Sequence, residues 1–313
     1  MDPDTYKVSV IIPCFNHGKY LDAAVSSALG QTCQDLEVII VDDGSTEPET
    51  VALLSHYDRP RTTVVRIPNQ GPAVARAAGI SRAKGKYILP LDADDWIDAD
   101  YAELAADILD SRPEIGIVYC DAELVYPDSK VKWGLPPYSF PEILLGNMIV
   151  STAMYRKADY IRAGGYNPSM YEGWEDFDLW LSLIENGLGV YKLNRTLFHY
   201  NISRGRRSST LDLAAEERLF TLLYRQHTDL YVQNIGFVLK TAEARKLEIA
   251  ALRQENLQVR AQLDEILNSK WYAAVQKIRK HRYLLSLLRG LFSVVRMFRR
   301  RLTLGLRGGA KTG

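Results

Sequence analysis

Cysteine is scarce in this chain: Cys14, Cys33 and Cys120 are the only three in 313 residues, and their spacing suggests no pairing. That excludes a disulfide-stapled scaffold and points to reduced thiols in a cytosolic compartment. Long apolar runs are missing too. No stretch reaches about 18 uninterrupted apolar residues, so no spanning helix is expected. The opening segment, MDPDTYKVSVIIP, carries no basic region ahead of a long apolar core, and no secretory signal is expected from it. Acidic residues run out near the end. From Lys270 onward there is no Asp or Glu but twelve of the 39 lysines and arginines, leaving 27 basic against 38 acidic residues ahead of that point. The formal net charge of +1 therefore conceals an acidic body and a basic tail.

What is present is an ordinary globular composition, 47% hydrophobic and 25% charged, long enough for one large domain or two smaller ones with an ample core. Apolar runs rich in Val and Ile alternate with helical patterns. KVSVIIPCF precedes GKYLDAAVSSALGQ, DLEVIIVDD precedes EPETVALLSHY, TTVVRIP precedes PAVARAAGISRAKG, and KYILPLD precedes DADYAELAADILDSR. A fifth strand is expected at IGIVYCDAELV. Repeated β–α units of this kind predict an α/β fold: a Rossmann-like, mostly parallel sheet flanked by helices. The strands read as continuous rather than alternating, as burial on both faces requires.

In such sheets ligands gather at the carboxyl ends of the strands. Polar residues collect in those loops: Asn16 and His17, then Asp42, Asp43 and Ser45, then Asn69 and Gln70, then Asp92, Asp94 and Asp95. Each group taken singly also suits a turn or a helix cap. The last group is harder to dismiss. In YILPLDADDW a buried strand runs into three carboxylates, each of which raises the cost of ionising the others, and a divalent cation relieves that repulsion.

Residues 126–150 are irregular and rich in proline, and GGYNPSMYEGWEDFDLWLSLIENG follows. A helix is predicted from Trp174 to Ile184, with Glu172, Glu175 and Asp176 at its start. Acids there suit the positive end of the helix dipole. A carboxylate at the open first turn also suits a catalytic base.

The segments VSVIIPCFNHGKYLDAAVSSALGQT, LEVIIVDDGST, NQGPAVARAAGISRAKGKYILPLDADD and GGYNPSMYEGWEDFDLWLSL, in that order and spacing, resemble glycosyltransferase family 2 over about residues 7–210. The resemblance implies a nucleotide-diphospho-sugar-binding fold of the GT-A type and an inverting sugar transfer. It further implies that Asp43, beside Asp42, binds the nucleotide base, with the Pro13 to Asn16 turn packed near it and Arg76 against base or ribose. Asp92 and Asp94 become the metal motif for Mg²⁺ or Mn²⁺, Asp95 sits close to the donor sugar, and Asp176 is the base. A uridine diphosphate donor is implied by the VDDGS loop. Two departures stand out: Ala77 follows Arg76 where Asn is frequent, and Asn201 occupies a position where Arg is common. Arg204, Arg206, Arg207 and His199 are expected to close over the pyrophosphate, with His199 reaching the metal; a solvated basic loop is the other reading.

Past about residue 245 the texture changes. Ile249, Leu252, Asn256, Val259, Leu263 and Ile266 form an a/d heptad seam, with Glu248 and Arg253, and Glu255 and Arg260, at g and following e positions. Residues 246–267 are therefore candidates for a homodimeric coiled coil, or for a helix packed back on the catalytic domain. Beyond them, Tyr283, Leu284, Leu288, Leu291, Val295, Phe298 and Leu302 share one helical face opposite Arg282, Arg289, Arg296 and Arg300. A basic amphipathic helix of this kind suits an anionic membrane surface, with Trp271 and Tyr272 at the interface. Nucleic acid is not the expected partner, since the apolar face would then have no use; packing within an oligomer is the alternative.

These readings predict a catalytic domain over 1–225, a helical segment over 226–268 and a membrane-associating tail over 269–313. The expected activity is metal-dependent transfer of a sugar from a nucleotide-diphosphate donor to a glycan or lipid-linked acceptor in surface polysaccharide synthesis. The expected location is cytoplasmic, peripheral at the inner face of the cell membrane. A nucleotidyltransferase and a non-catalytic, transferase-like adaptor are the competing readings.

Overall fold

The computed structural model describes residues 5–202 and 212–270, together with 272–273, 276–277 and 279–280. Four strands, β1 (Tyr6–Cys14), β2 (Leu36–Asp43), β3 (Thr62–Ile67) and β4 (Gly85–Pro90), pair in parallel in the order β3-β2-β1-β4. All eight residues of β2 are buried, which is why its sequence shows no alternation. Between these strands run α1 (Gly18–Leu29), α2 (Pro48–Ser55) and α3 (Pro72–Arg82). In α1, Leu21, Ala24, Val25 and Ala28 fall at helical spacing and all are buried. Helix α3 approaches the sheet closely at Gly79, where a Cβ would come within 2.6 Å of Ile11 Cγ2 and 2.9 Å of Val41 Cγ2.

Beyond β4 the sheet is mixed. The two-residue β5 (Trp96–Ile97) leads into α4 (Tyr101–Ser111), then β6 (Ile115–Tyr126) and β7 (Ser129–Lys132). A 3₁₀ turn at Glu142–Leu145 precedes β8 (Met154–Arg156), α5 (Lys157–Arg162), α6 (Glu175–Glu185) and β9 (Gly189–Asn201). Strand β8 lies antiparallel to both β4 and β6, β9 is parallel to β6, and β5 and β7 pair antiparallel with β9 and β6. The fifth predicted strand, β6, thus joins the parallel half only through β8. Strand β8 enters from the irregular segment rather than through a crossover helix, and so is free to run the other way.

The helix predicted from Trp174 begins one residue later, at Glu175. The remaining helices are α7 (Leu213–Gln226), α8 (Thr228–Gln233) and α9 (Ile235–Asn268). Asp212 caps α7, its carboxylate accepting from the Ala215 amide at 2.7 Å. The chain divides into two compact units, Met1–Val238 and Leu239–Gly313. Among the described residues no helix is long and apolar enough to cross a membrane. Trp271 and Tyr283 to Leu302, the anchors and amphipathic face read from the tail, lie outside the described residues, as do Arg204, Arg206 and Arg207.

Candidate active site

The loops after β1, β2, β3 and β4 fasten one another. Asn16, at φ +57° just past β1, accepts from the amides of Thr46 and Glu47 at 2.8 and 2.9 Å. Its own amide donates to Ser45 Oγ at 3.1 Å. Pro13 pairs opposite Val41 in the same corner. Asp42 accepts from the Ser45 amide at 2.9 Å and lies 3.7 Å from Arg66 Nε. Asp43 reaches the other way, its two oxygens accepting from the amides of Gln70 and Gly71 at 2.8 and 2.9 Å. Both carboxylates are buried. Charge-assisted bonds from backbone amides make them stable there. The structure gives them the work of shaping the loops that follow β2 and β3, a role the sequence reading did not assign.

Arg76, expected near the base or ribose, is engaged by two carboxylates. It is buried on α3, with Nη1 donating to Glu175 Oε1 at 2.6 Å and Nη2 donating to Asp92 Oδ1 at 2.5 Å. Its guanidinium carbon lies 5.9 Å from the Tyr166 ring centroid, and its Nε is buried without a partner. The planar fork is thus committed to two carboxylates from distant parts of the chain, and those charges hold its own charge firmly in place.

The β4 loop turns tightly, the Asp95 amide donating to the Asp92 carbonyl at 3.1 Å. Asp95 is buried; its Oδ1 accepts from the Asn201 amide at 2.9 Å, while Oδ2 has no partner. Burial first, then the charges of Asp92 and Asp94, push its pKa well above the usual carboxylate range. His17 Nδ1 lies 3.8 Å from Asp94 Oδ1, bringing the first loop to the fourth. Among the described residues no group of three or more His, Cys, Asp or Glu is arranged to hold a metal. Asp92 and Asp94 still lie close enough to Asp95 for their charges to act on it, and the buried Asp95 Oδ2 is orphaned. That donor set fits Mg²⁺ or Mn²⁺ of the kind bound by one or two carboxylates and completed by substrate phosphate oxygens and water.

His199, expected near the metal, has a carboxylate beside each ring nitrogen. Its Nε2 lies 2.8 Å from Asp98 Oδ1 and its Nδ1 2.7 Å from Glu123 Oε1, and Trp96 stacks on the ring at 5.4 Å. Pairing of β5 with β9 sets His199 opposite Trp96 and turns both nitrogens to these carboxylates.

Asp176 sits at the second position of α6. Its Oδ1 accepts from the Phe177 amide at 2.8 Å and its Oδ2 from Asn147 Nδ2 at 3.2 Å. Burial, then the charge of Glu175, raise its pKa to about 7 against the lowering effect of Arg76. A carboxylate so poised takes a proton far more readily than an ordinary aspartate near neutral pH. Before it, Trp174 adopts the left-handed conformation at φ +61°, an uncommon one for a bulky residue. Asn147 escaped the sequence reading, and the pairing of Glu175 with Arg76 did too. Glu175 stands in the WEDFD run and was visible there as an acid, whereas nothing local marks Asn147.

Residues 9–158 match the family model described as Glycosyl transferase family 2. The chain is 31% identical over 230 residues to the putative teichuronic acid biosynthesis glycosyltransferase TuaG of Bacillus subtilis, spanning 70% of this chain and 87% of that protein. It is 30% identical over 215 residues to the chondroitin synthase of Pasteurella multocida, 67% of this chain. It spans only 22% of the length of that synthase, and 31% of the length of the Escherichia coli chondroitin synthase. The crystal structure of Staphylococcus aureus TarS 1-349 in complex with UDP-GlcNAc superposes with a TM-score of 0.56 at 22% identity, covering 72% of this chain and 66% of that one. The shared architecture is the GT-A glycosyltransferase fold, here followed by a C-terminal helix.

Proposed function

Since the chain belongs to glycosyltransferase family 2, we propose that it is a metal-dependent, inverting glycosyltransferase. It moves a sugar from a nucleotide-diphosphate donor, with a UDP-sugar preferred, to a hydroxyl of a glycan or lipid-linked acceptor in surface polysaccharide synthesis. The observation that carries this reading is Asp176, a carboxyl poised at about 7 beside a cluster of carboxylates to which Arg76 ties its helix. A TarS structure with UDP-GlcNAc bound supports the donor class, and relatives named as a putative teichuronic acid biosynthesis glycosyltransferase and a chondroitin synthase support the acceptor class.

In the proposed reaction the acceptor oxygen attacks the anomeric carbon as Asp176 takes its proton. The bond from that carbon to the diphosphate oxygen breaks, and both its electrons leave with the nucleoside diphosphate. General-base assistance of this kind is worth roughly 10²–10⁴-fold. Asp92 and Asp94 would hold the Mg²⁺ or Mn²⁺, which when bound neutralises the charge that the diphosphate gains. Arg76 takes Asp92 Oδ1 and leaves its other oxygen for that purpose. Asp42, Asp43 and Asn16 shape the loops that would receive the nucleotide. The acid-free tail from Lys270 supports association with an anionic membrane, where tethered acceptors are met at raised effective concentration.

The test is a release assay with Mn²⁺ or Mg²⁺ and a panel of nucleotide sugars, comparing wild type with Asp94→Asn and Asp176→Asn. Metal-dependent release of a nucleoside diphosphate from one donor, lost in both variants, supports the reading. Release of pyrophosphate would make the chain a nucleotidyltransferase. Full biological function in both variants would make it an adaptor.

A further inference from the structure

Helix α9 runs for 34 residues, Ile235–Asn268, without one buried residue. Single helices in water draw most of their stability from packing an apolar face. In α9 the residues suited to packing are exposed: Ile249 by 50%, Leu252 by 54%, Val259 by 55%, Leu263 by 51% and Ile266 by 58%. With Asn256 between Leu252 and Val259 they are spaced three and four apart and lie on one stripe.

We infer that residues 246–267 form a parallel, two-stranded coiled coil with the same segment of a second copy of this chain. Charge selects this occupant. With Ile249, Asn256 and Leu263 at a and Leu252, Val259 and Ile266 at d, Glu248 and Glu255 fall at g, and Arg253 and Arg260 at the following e positions. A parallel, in-register pair sets each glutamate against an arginine of the other strand, twice on each side of the seam. An antiparallel pair would set g against g and e against e, bringing like charges together. A lipid surface would leave the alternation of acids and bases along both flanks without a role.

Asn256 decides the number of strands. The first heptad, Ile249 at a and Leu252 at d, favours two; the third, Leu263 at a and Ile266 at d, favours more than two. A buried asparagine at a central a position bonds its equivalent across the seam and specifies a dimer in one register, at some loss of stability. Three heptads make a weak seam, so the association depends on concentration.

Sedimentation equilibrium of the full chain over a range of concentrations tests the inference. A monomer–dimer equilibrium is expected. Glu248→Arg with Glu255→Arg should weaken it by about tenfold or more, and adding Arg253→Glu with Arg260→Glu should restore it. Asn256→Cys should give a disulfide-linked dimer that wild type does not form. A monomer at every concentration, a trimer or tetramer, a dimer indifferent to the charge reversals, or failure of the Asn256→Cys variant to crosslink would overturn it. Donor-nucleotide turnover retained in the charge variants shows that the catalytic unit remains folded.

Discussion

Arg76 donates to Glu175 at 2.6 Å across 99 residues of sequence, and with its other terminal nitrogen it holds Asp92. One buried cation thereby joins the helix that carries Asp176 to the strand end that carries the acidic turn. Replacing Arg76 with Gln leaves Glu175 buried without a counter-charge, a loss of about 3–5 kcal/mol for a broken buried pair. It also removes the charge that holds Asp176 down. The expected outcome is a lower melting temperature together with a pH–rate profile displaced to higher pH. Arg76→Lys keeps the charge but not the fork and should recover only part of both.

Asp176→Asn should lower kcat by roughly 10²–10⁴-fold with donor binding retained. In wild type kcat/KM should rise with pH and level off above about 7, where the base form predominates. The stability effect has the opposite sense. A carboxyl whose folded pKa is raised favours the fold while protonated, and that contribution is lost as pH rises toward 7. Asp176→Asn should therefore melt higher than wild type above neutrality, measured by thermal denaturation across pH.

His227, buried between α7 and α8, lies 2.9 Å from Glu185 Oε2 and 3.3 Å from Asp178 Oδ1. Burial opposes its charge, but the two acids prevail and its pKa stands above 6.5. Its stabilising contribution is complete below about 6.5 and disappears as pH climbs through the raised value. Wild type should lose stability over that window, and His227→Gln should not.

Asp43→Ala strips the acceptors from the amides of Gln70 and Gly71, which open α3. Gln70 is exposed and Gly71 half-buried, so water can take over part of the loss and the cost should be about 1 kcal/mol or less per amide. Because α3 carries Arg76, the donor KM should rise and kcat should fall as well, as steady-state kinetics on the purified variant would reveal.

Much of this molecule is written in local pattern. Continuous apolar runs such as the fully buried β2 give the parallel strands, and the 3–4 spacing of Leu21, Ala24, Val25 and Ala28 gives α1, since both signals lie within a few residues of each other. The strand-end loops, the acidic turn at Asp92 and the acidic start of α6 were legible for the same reason. Contacts across long separations were not. The three residues of β8 carry too little pattern to declare a direction, so the mixed half of the sheet emerged only when β8 paired antiparallel with both β4 and β6. Nothing local to His199 announces that it meets Asp98 and Glu123, 101 and 76 residues away. Nothing local to Arg76 announces its bond to Glu175, 99 residues away. The sequence by itself determined which groups carry charge and where the chain turns. Tertiary packing decided which of those charges meet, because a buried charge must take whatever counter-charge the fold brings within reach.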